Sequence, residues 1–136
     1  MQGDDLAWAQ FRKLGLFPSE PCTDAEFLRR STLDTIGVLP SAEEARAFLA
    51  DTNPRKRELW IERLLAHPAY ADFWANKWAD LLQVNPKFLG PEGAKLLREW
   101  IRKEVAANTP YDQFARKVLT AGGSNKENPA ASYYKI

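Results

Sequence analysis

The chain has 136 residues, 45% of them hydrophobic, with five Trp, seven Phe and four Tyr. This is the length of one domain, with enough apolar material for a core without a disulfide or a metal. Nineteen basic and eighteen acidic residues leave a net charge of +1, which argues against nucleic acid as a partner. No apolar run predicts membrane insertion, no signal peptide is recognisable, and the single cysteine excludes an internal disulfide.

The first two predicted helices begin with polar signals and end at glycines. Asp4 to Leu14 forms a loose apolar stripe with acidic residues at its start, which suits the positive end of a helix. Thr23 and Glu26 have the spacing of a capping box, and the helix that they open is expected to run to Gly37.

The next two helices are predicted from a second capping box and from an Asn-Pro pair. Ser41 and Glu44 open a short helix. Asn53 is expected to cap the following one, with Pro54 at its first position and Ala66 near its end. The residues expected to be buried in this pair of helices are Ala45, Phe48, Leu49, Leu59, Trp60, Ile61, Leu64 and Leu65.

A Trp-rich central helix is predicted over about residues 69–84. His67-Pro68 begins it, and Asn85 before Pro86 is expected to end it as a left-handed cap. Ala71, Ala75 and Ala79 form a smooth ridge on which a partner helix can pack closely. The broad aromatic face beside the ridge is interpreted as core, its rings used for packing; it holds Tyr70, Phe73, Trp74, Trp78, Leu81, Leu82 and Val84.

The last third of the chain predicts a loop, two more helices and a tail. Residues 86–93 are expected to form a loop, 92–107 a helix, and Thr109-Pro110 the start of the final helix, which Gly122-Gly123 stops. Residues 122–136 are expected to be an irregular tail. The residues expected to face inward are Ala94, Leu96, Leu97, Trp100, Ile101, Val105, Tyr111, Phe114, Val118 and Leu119.

No stretch alternates β-branched and polar residues over the length of a strand. The fold class predicted is therefore all-α: a compact orthogonal bundle of about six or seven short helices around the central helix. We expect one helical domain over 1–136, as a fragment of a larger multidomain protein.

Residues with catalytic or metal-binding chemistry are sparse. His67 is the only histidine and lies at a helix–proline junction, where a capping role is expected. Cys22 precedes a helix start without an identifiable base beside it. We therefore assign no catalytic, cofactor-binding or metal-binding residue. Whether the chain is part of an enzyme stays open, although the sequence favours a chain without catalytic activity of its own.

Two charged residues interrupt apolar faces. Lys77 lies within the aromatic face of the central helix, and Glu104 lies in the apolar face of the next helix. One hypothesis is that they form a buried ion pair, since an unpaired buried charge is costly. The alternative is that the lysine stem extends to the domain edge.

Two binding surfaces are considered. Tryptophan can stack on sugar rings, but four of the five tryptophans lie in inward stripes, so carbohydrate stays a partner class without support. Trp8 is the exception, and together with Tyr133 and Tyr134 it is considered as an exposed docking face for a protein.

Several stretches together carry a family resemblance. Phe27–Pro40 reads FLRRSTLDTIGVLP, Arg63–Asp80 reads RLLAHPAYADFWANKWAD, Pro110–Phe114 reads PYDQF and Asn128–Ala130 reads NPA. In this order and spacing they resemble the domain of unknown function found in large planctomycete-type cytochrome proteins.

The resemblance implies a context, not a reaction. Such proteins are usually exported, with a cytochrome-type domain and a companion unknown domain as partners, so a periplasmic or extracytoplasmic location is expected. A C-x-x-C-H-like motif tends to follow the segment resembling Asn128–Tyr134, so haem or metal is expected in the parent protein and not in this chain.

The leading hypothesis is a non-catalytic helical scaffold or recognition module of a larger redox-associated protein. The alternative is part of an enzyme, polysaccharide-related or dependent on haem or metal, whose active site a further C-terminal segment completes. The polar positions proposed for binding or structure are Arg30, Asp34, Lys77, Asp80, Asn85, Glu104 and Asn128. Each also has an ordinary reading as a surface residue, a cap or a turn former.

Overall fold

The computed structural model describes residues 2–135, and the regular elements in that range are all helical, which confirms the predicted all-α class. None of the described helices combines the length and the apolar character needed to cross a membrane. The elements are α1 (Gln2–Leu14), α2 (Asp24–Ile36), α3 (Ala42–Ala50), α4 (Lys56–Leu65), α5 (Pro68–Leu81), α6 (Pro86–Ala106), α7 (Tyr111–Leu119) and a terminal 3₁₀ helix (Pro129–Lys135).

Both predicted capping boxes are present. The Glu26 N–H donates to the Thr23 hydroxyl at 3.3 Å, and the Glu26 carboxylate accepts the Thr23 N–H at 2.8 Å. Ser41 and Glu44 repeat the arrangement at 3.2 and 2.9 Å. In each box the backbone hydrogen bond to the carboxylate lowers the pKa of the glutamate, so the boxes hold at neutral pH.

The two other predicted starts differ in outcome. His67 caps α5 as expected, with Nδ1 accepting the Ala69 N–H at 3.1 Å. The Asn53 side chain accepts the Arg55 N–H at 2.9 Å, the same bond to the residue two positions later that His67 makes. The predicted helix start is nevertheless wrong, because a turn follows Asn53 and α4 begins at Lys56, with Arg55 in the N-cap position.

The predicted end of α5 and the predicted loop after it are also wrong. Gln83 takes the left-handed conformation, and the Val84 N–H bonds to the Ala79 carbonyl at 2.8 Å, which closes α5 in a Schellman motif. Asn85 instead caps α6 by accepting the Lys87 N–H at 2.8 Å, with proline at the first position. Most of the predicted loop is therefore helical.

α6 breaks once, at Gly90. This residue has φ 69° and ψ 163°, a conformation that favours glycine, and the extended ψ is the one that a following proline requires. The short first part of α6 places Leu89, 8% exposed, in the core between α5 and α6. Helix formation before the break is thus stabilised by burial of Leu89.

α5 joins two hydrophobic clusters. The first cluster lies between α2, α3 and α4, and its buried residues are Leu28, Ile36, Phe48, Trp60 and Leu64. The second lies between α5 and α6, and its buried residues are Ala75, Ala79, Leu89, Ala94, Leu97 and Ile101. Since α5 packs against both α2 and α6, its predicted central position is confirmed.

A glycine allows α2 and α5 to approach each other. Gly37 ends α2 with φ 75°, and a Cβ built on it would lie 2.3 Å from the ring of Phe73. No side chain fits there, so the C-terminal stop of α2 also forms a packing site for α5.

Several residues predicted to be buried are exposed, and for these the prediction is wrong. Each lies at the margin of an apolar stripe, and the partner helix covers only the centre of that stripe. Their exposed fractions run from 40% to 69%, and the residues are Leu49, Leu59, Ile61, Leu65, Leu81 and Leu119. Tyr111, in the first turn of α7, is 70% exposed.

The two ends of the described chain behave in opposite ways. α1 forms as predicted, but no other described helix packs extensively against it, and Leu6, Trp8 and Phe17 are exposed. The segment predicted to be an irregular tail instead ends in the 3₁₀ helix, which packs against α6 and buries Ala130 and Ala131. Small side chains allow this close contact, so the tail prediction is wrong from Pro129 onward.

Candidate functional site

A cleft of about 420 Å³ opens between α5 and the junction of α6 with α7. Three helix segments form it: the outer face of α5, the last turn of α6 and the first turn of α7. Its lining is mainly aromatic with a polar rim, and consists of Tyr70, Trp74, Trp78, Glu104, Val105, Asn108, Thr109, Pro110, Tyr111 and Phe114. We call it the aromatic cleft.

The rings in the cleft are arranged around Trp78. Its centroid lies 5.0 Å from that of Phe114 and 6.0 Å from that of Tyr111, with the Tyr111 ring stacked at 28°. Phe114 is buried and stacks at 5.3 Å on Trp100. Because ring pairs at these distances attract one another, the cleft wall is preformed.

The two indole groups on this face of α5 differ in their hydrogen bonding. Trp74 donates its N–H to the Thr35 carbonyl at 3.1 Å, which ties it to α2. Within residues 2–135, the N–H of Trp78 finds no acceptor, and its nitrogen is not among the buried unpaired atoms. The Trp78 N–H is therefore at least partly open to solvent.

The polar rim is built around Glu104, whose side chain is only 12% exposed. Lys117 bonds both carboxylate oxygens, at 2.9 and 2.7 Å, and the Thr109 hydroxyl donates at 2.7 Å. Burial by itself raises the pKa of Glu104, but these hydrogen bonds and the Lys117 charge outweigh it, so the pKa is lowered overall. The carboxylate is ionised at neutral pH and acts as an acceptor only.

Asn108 stands at the rim because of how α6 ends. It takes the left-handed conformation at φ 48°, while the Thr109 N–H bonds to the Glu104 carbonyl at 3.0 Å, a second Schellman motif. Thr109 does not cap α7 as predicted, because its hydroxyl is used by Glu104. In the described residues the side-chain amide of Asn108 has no protein partner.

A second depression, of about 560 Å³, adjoins the aromatic cleft and shares Tyr70, Val105 and Asn108 with it. It continues towards the start of α5, where His67 and Arg102 line it. Arg102 is paired with Asp72, and this pair raises the pKa of the guanidinium. The two depressions therefore lie next to each other along α5 and α6.

The interpretation of the whole aromatic face of α5 as core is wrong. The alanine ridge is buried, but Trp74 and Trp78 are only half-buried and line the open cleft. Tyr111, predicted to be buried, is 70% exposed at its mouth. The physical reason is the direction of α7, which covers the end of the ring face near Phe114 and leaves the rest open.

The Lys77–Glu104 pair is not formed. Glu104 bonds to Lys117 and Thr109, while the Lys77 ammonium lies 4.7 Å from the Phe73 ring centroid and 5.7 Å from that of Trp74. Lys77 is exposed, so the alternative in which its stem extends to the edge is confirmed. Its ammonium makes cation–π contacts with these two rings in place of an ion pair.

Of the polar positions proposed from the sequence, Glu104 is the one that lies in the aromatic cleft. Arg30 and Asp34 are exposed on α2, and among residues 2–135 no ion pair joins them. Asp80 and Asn85 line a separate depression of about 330 Å³ at the α5–α6 turn.

Asn128 has the turn-forming position expected before proline. Its side chain donates to the Gly122 carbonyl at 3.3 Å and its own carbonyl accepts the Ala131 N–H at 3.0 Å. It therefore helps to begin the terminal 3₁₀ helix and does not reach the cleft.

The role of the residues that matter most for the cleft was not predicted from the sequence, although part of the signal was present. Tyr70, Trp74 and Trp78 recur at i, i+4 and i+8 in a line beside the alanine ridge. A second line of large rings next to a fully packed ridge is more than one partner helix can cover. Asn108 and Tyr111 carried no comparable signal, because their role depends on the turn into α7.

The fold and the cleft define an all-helical domain with an aromatic surface groove; in the described part of the chain, no group of three or more metal-ligating side chains comes together. A family model, PSCyt2, described as a protein of unknown function (DUF1549), matches residues 3–136. The chain belongs to this family, the planctomycete cytochrome-c-associated domain of unknown function, which confirms the resemblance. No curated protein and no solved structure matches the chain.

Proposed function

We propose that this chain is a recognition module, which binds a ligand with flat, apolar-faced rings in the aromatic cleft. The single observation that carries this proposal is the half-open face of α5, where the half-buried Trp78 lines the cleft and its N–H has no acceptor among residues 2–135. A scaffold helix would gain more stability by burying that face completely. Convergent rings with a few polar groups are the usual composition of a ligand site.

The volume and the chemistry of the cleft agree with binding. Its 420 Å³ falls within the range of about 300–1,000 Å³ that is typical of ligand pockets. The ring wall supplies apolar contact area, while Glu104 and Asn108 supply orientation through hydrogen bonds. Because the Glu104 carboxylate is held by Lys117 and Thr109, its position is fixed before a ligand arrives.

The wider setting proposed for the module is a larger, extracytoplasmic, redox-associated protein. Membership of a cytochrome-associated family supports this setting. Haem, in this proposal, is carried by a cytochrome-type domain of the parent chain, with the module beside it. Haem absorbance of the purified parent protein and its recovery in the periplasmic fraction test both parts, and a haem-free or cytoplasmic parent would contradict them.

Tryptophan fluorescence of the purified chain tests the recognition function. The chain is titrated with ring-shaped compounds of several classes: neutral oligosaccharides, aromatic acids and nucleosides. We expect at least one class to shift the emission saturably, because Trp74 and Trp78 line the cleft. Tyr111→Ala should weaken that binding at least tenfold, since it removes the exposed ring stacked on Trp78.

Phe88→Ala is the matched control. Phe88 is 57% exposed, close to the exposure of Tyr111, but it lies outside the aromatic cleft. We expect its titration to match that of the unchanged chain. If no class binds, or if binding survives Tyr111→Ala unchanged, the cleft is not a recognition site.

A further inference from the structure

The aromatic cleft and its neighbouring depression share one wall. Tyr70, Val105 and Asn108 line both, so the two depressions lie side by side between α7 and the start of α5. With volumes of about 420 and 560 Å³, each half is large enough for a small ligand by itself. An extended ligand made of repeated units fits this shape better than one compact molecule.

The charges along the surface are matched within the protein. Glu104 is paired with Lys117 at one end, and Arg102 is paired with Asp72 at the other. A strongly anionic ligand would meet the Glu104 carboxylate, and a cationic one would have to compete with Lys117 and Arg102. Charge complementarity therefore favours a neutral occupant.

Two kinds of neutral polymer that bind aromatic grooves, proline-rich peptides and oligosaccharides, differ in the hydrogen bonds that they offer. Proline-rich peptides offer mainly carbonyl acceptors, which suit the Trp78 N–H but not the carboxylate of Glu104. Sugar hydroxyls both donate and accept. They match an ionised acceptor at Glu104, the amide of Asn108 and the donor of Trp78 together, while the C–H faces of the sugar rings pack on the aromatic rings.

We infer that the joined surface binds a neutral linear oligosaccharide, with sugar rings packed on the Trp78–Tyr111 wall and the chain continuing past Tyr70 towards His67. This inference rests on the proposed recognition function and names its ligand class. It also places two subsites: an aromatic one in the cleft and a second one beside Ala106 at the end of α6.

The experiment measures affinity against chain length. A glycan array with neutral and uronic-acid oligosaccharides identifies the best neutral series, which is then titrated from two to six units by calorimetry. We expect affinity to rise at least tenfold between the shortest and the longest oligomer. Ala106→Trp, which fills the second depression, should lower the affinity for the longest oligomer to that for the shortest.

Ala107→Trp is the matched control, because Ala107 is also exposed at the end of α6 but does not line the second depression. We expect it to leave both affinities unchanged. Circular dichroism of each variant checks that it is folded, and Ala106→Leu provides a smaller plug if the tryptophan unfolds the chain. The array also carries a proline-rich peptide.

Binding independent of oligomer length, preference for uronic-acid chains, or capture of the proline-rich peptide in place of sugars overturns the inference. If no glycan binds while another ring compound still responds to Tyr111→Ala, the inference fails and the recognition function stands. If no ring compound of any class binds, both fail.

Discussion

The alanine side and the aromatic side of α5 differ in how much of each side chain the fold covers. Ala75 is 2% exposed and Ala71 and Ala79 are each 8% exposed, with α6 packed against the ridge. On the other side, Trp74 and Trp78 are half-buried and look into an open cleft. The alanines of the ridge are thus the best buried residues of the helix, while its two largest rings stay partly open.

This difference follows from how closely two helices can approach. A row of alanines lets the α6 backbone come near, and the contact is then filled by Leu97 and Ile101. Large rings hold a partner helix away, and α7 covers only one end of their row. α5 is therefore stabilised from its alanine side, while its aromatic side is left open for the ligand recognition that we propose.

Among changes on the alanine side of α5, the largest effect is expected at Ile101. Ile101→Ala removes a side chain with no exposed surface from the α5–α6 cluster, which should lower the free energy of unfolding by about 2–5 kcal/mol. Urea denaturation measures the change. Ile61→Ala is the matched control, because Ile61 is 40% exposed and its substitution should lower the free energy of unfolding much less. Equal losses in the two variants would mean that the α5–α6 contact is not the main core.

Overpacking the ridge is expected to have the next largest effect. Ala75→Leu inserts three carbons where α6 leaves no space, and should cost about 1–3 kcal/mol. Thermal denaturation followed by circular dichroism detects the loss. Ala47→Leu, at an exposed position in α3, should be close to neutral. A stable Ala75→Leu variant would show that α6 can move away from the ridge at little cost.

A pH series tests the rim of the cleft. The pKa of Glu104 is lower in the folded chain than the unfolded value of about 4.3. Its contribution to stability is therefore complete above that value and is lost as the pH falls through the folded pKa. Glu104→Gln should lower the free energy of unfolding by on the order of 1 kcal/mol at pH 7, with the difference shrinking below about pH 4.3.

Glu99→Gln is the control for that series, because Glu99 lies on the same helix with a side chain that is 51% exposed. The stability of the Glu99→Gln variant should differ little from that of the unchanged chain at any pH. A difference between Glu104→Gln and the unchanged chain that does not shrink at all between pH 7 and pH 3 would show that the carboxylate charge is not what matters.

The smallest expected effect on stability comes from a substitution on the aromatic side of α5. Tyr111→Ala should cost less than about 1 kcal/mol, because the ring is 70% exposed and contributes mainly its stacking on Trp78. Phe114→Ala, three residues later and 6% exposed, should cost about 3–5 kcal/mol. Chemical denaturation of both variants compares them, and similar losses would place Tyr111 in the core after all.

Local signals were sufficient for the elements whose ends depend on neighbouring residues. Both capping boxes and the His67-Pro68 start are confirmed, since a cap needs only a side chain and a backbone N–H a few residues away. The same logic failed at Asn85, where a left-handed end of α5 and an N-cap of α6 are both compatible with the local sequence. The burial of Leu89 in the α5–α6 cluster favours the N-cap of α6, which the sequence did not indicate.

The sequence by itself determined the helical class, most helix starts and the alanine ridge, because these depend on spacing along the chain and on chemistry within a few residues. The tertiary structure alone decided that Glu104 pairs with Lys117, that Tyr111 stacks on Trp78 and that the cleft stays open. These contacts join α5, α6 and α7 across the turn at Asn108 and Thr109. A helical periodicity states which residues share a face, but the directions of the neighbouring helices decide how much of that face is covered.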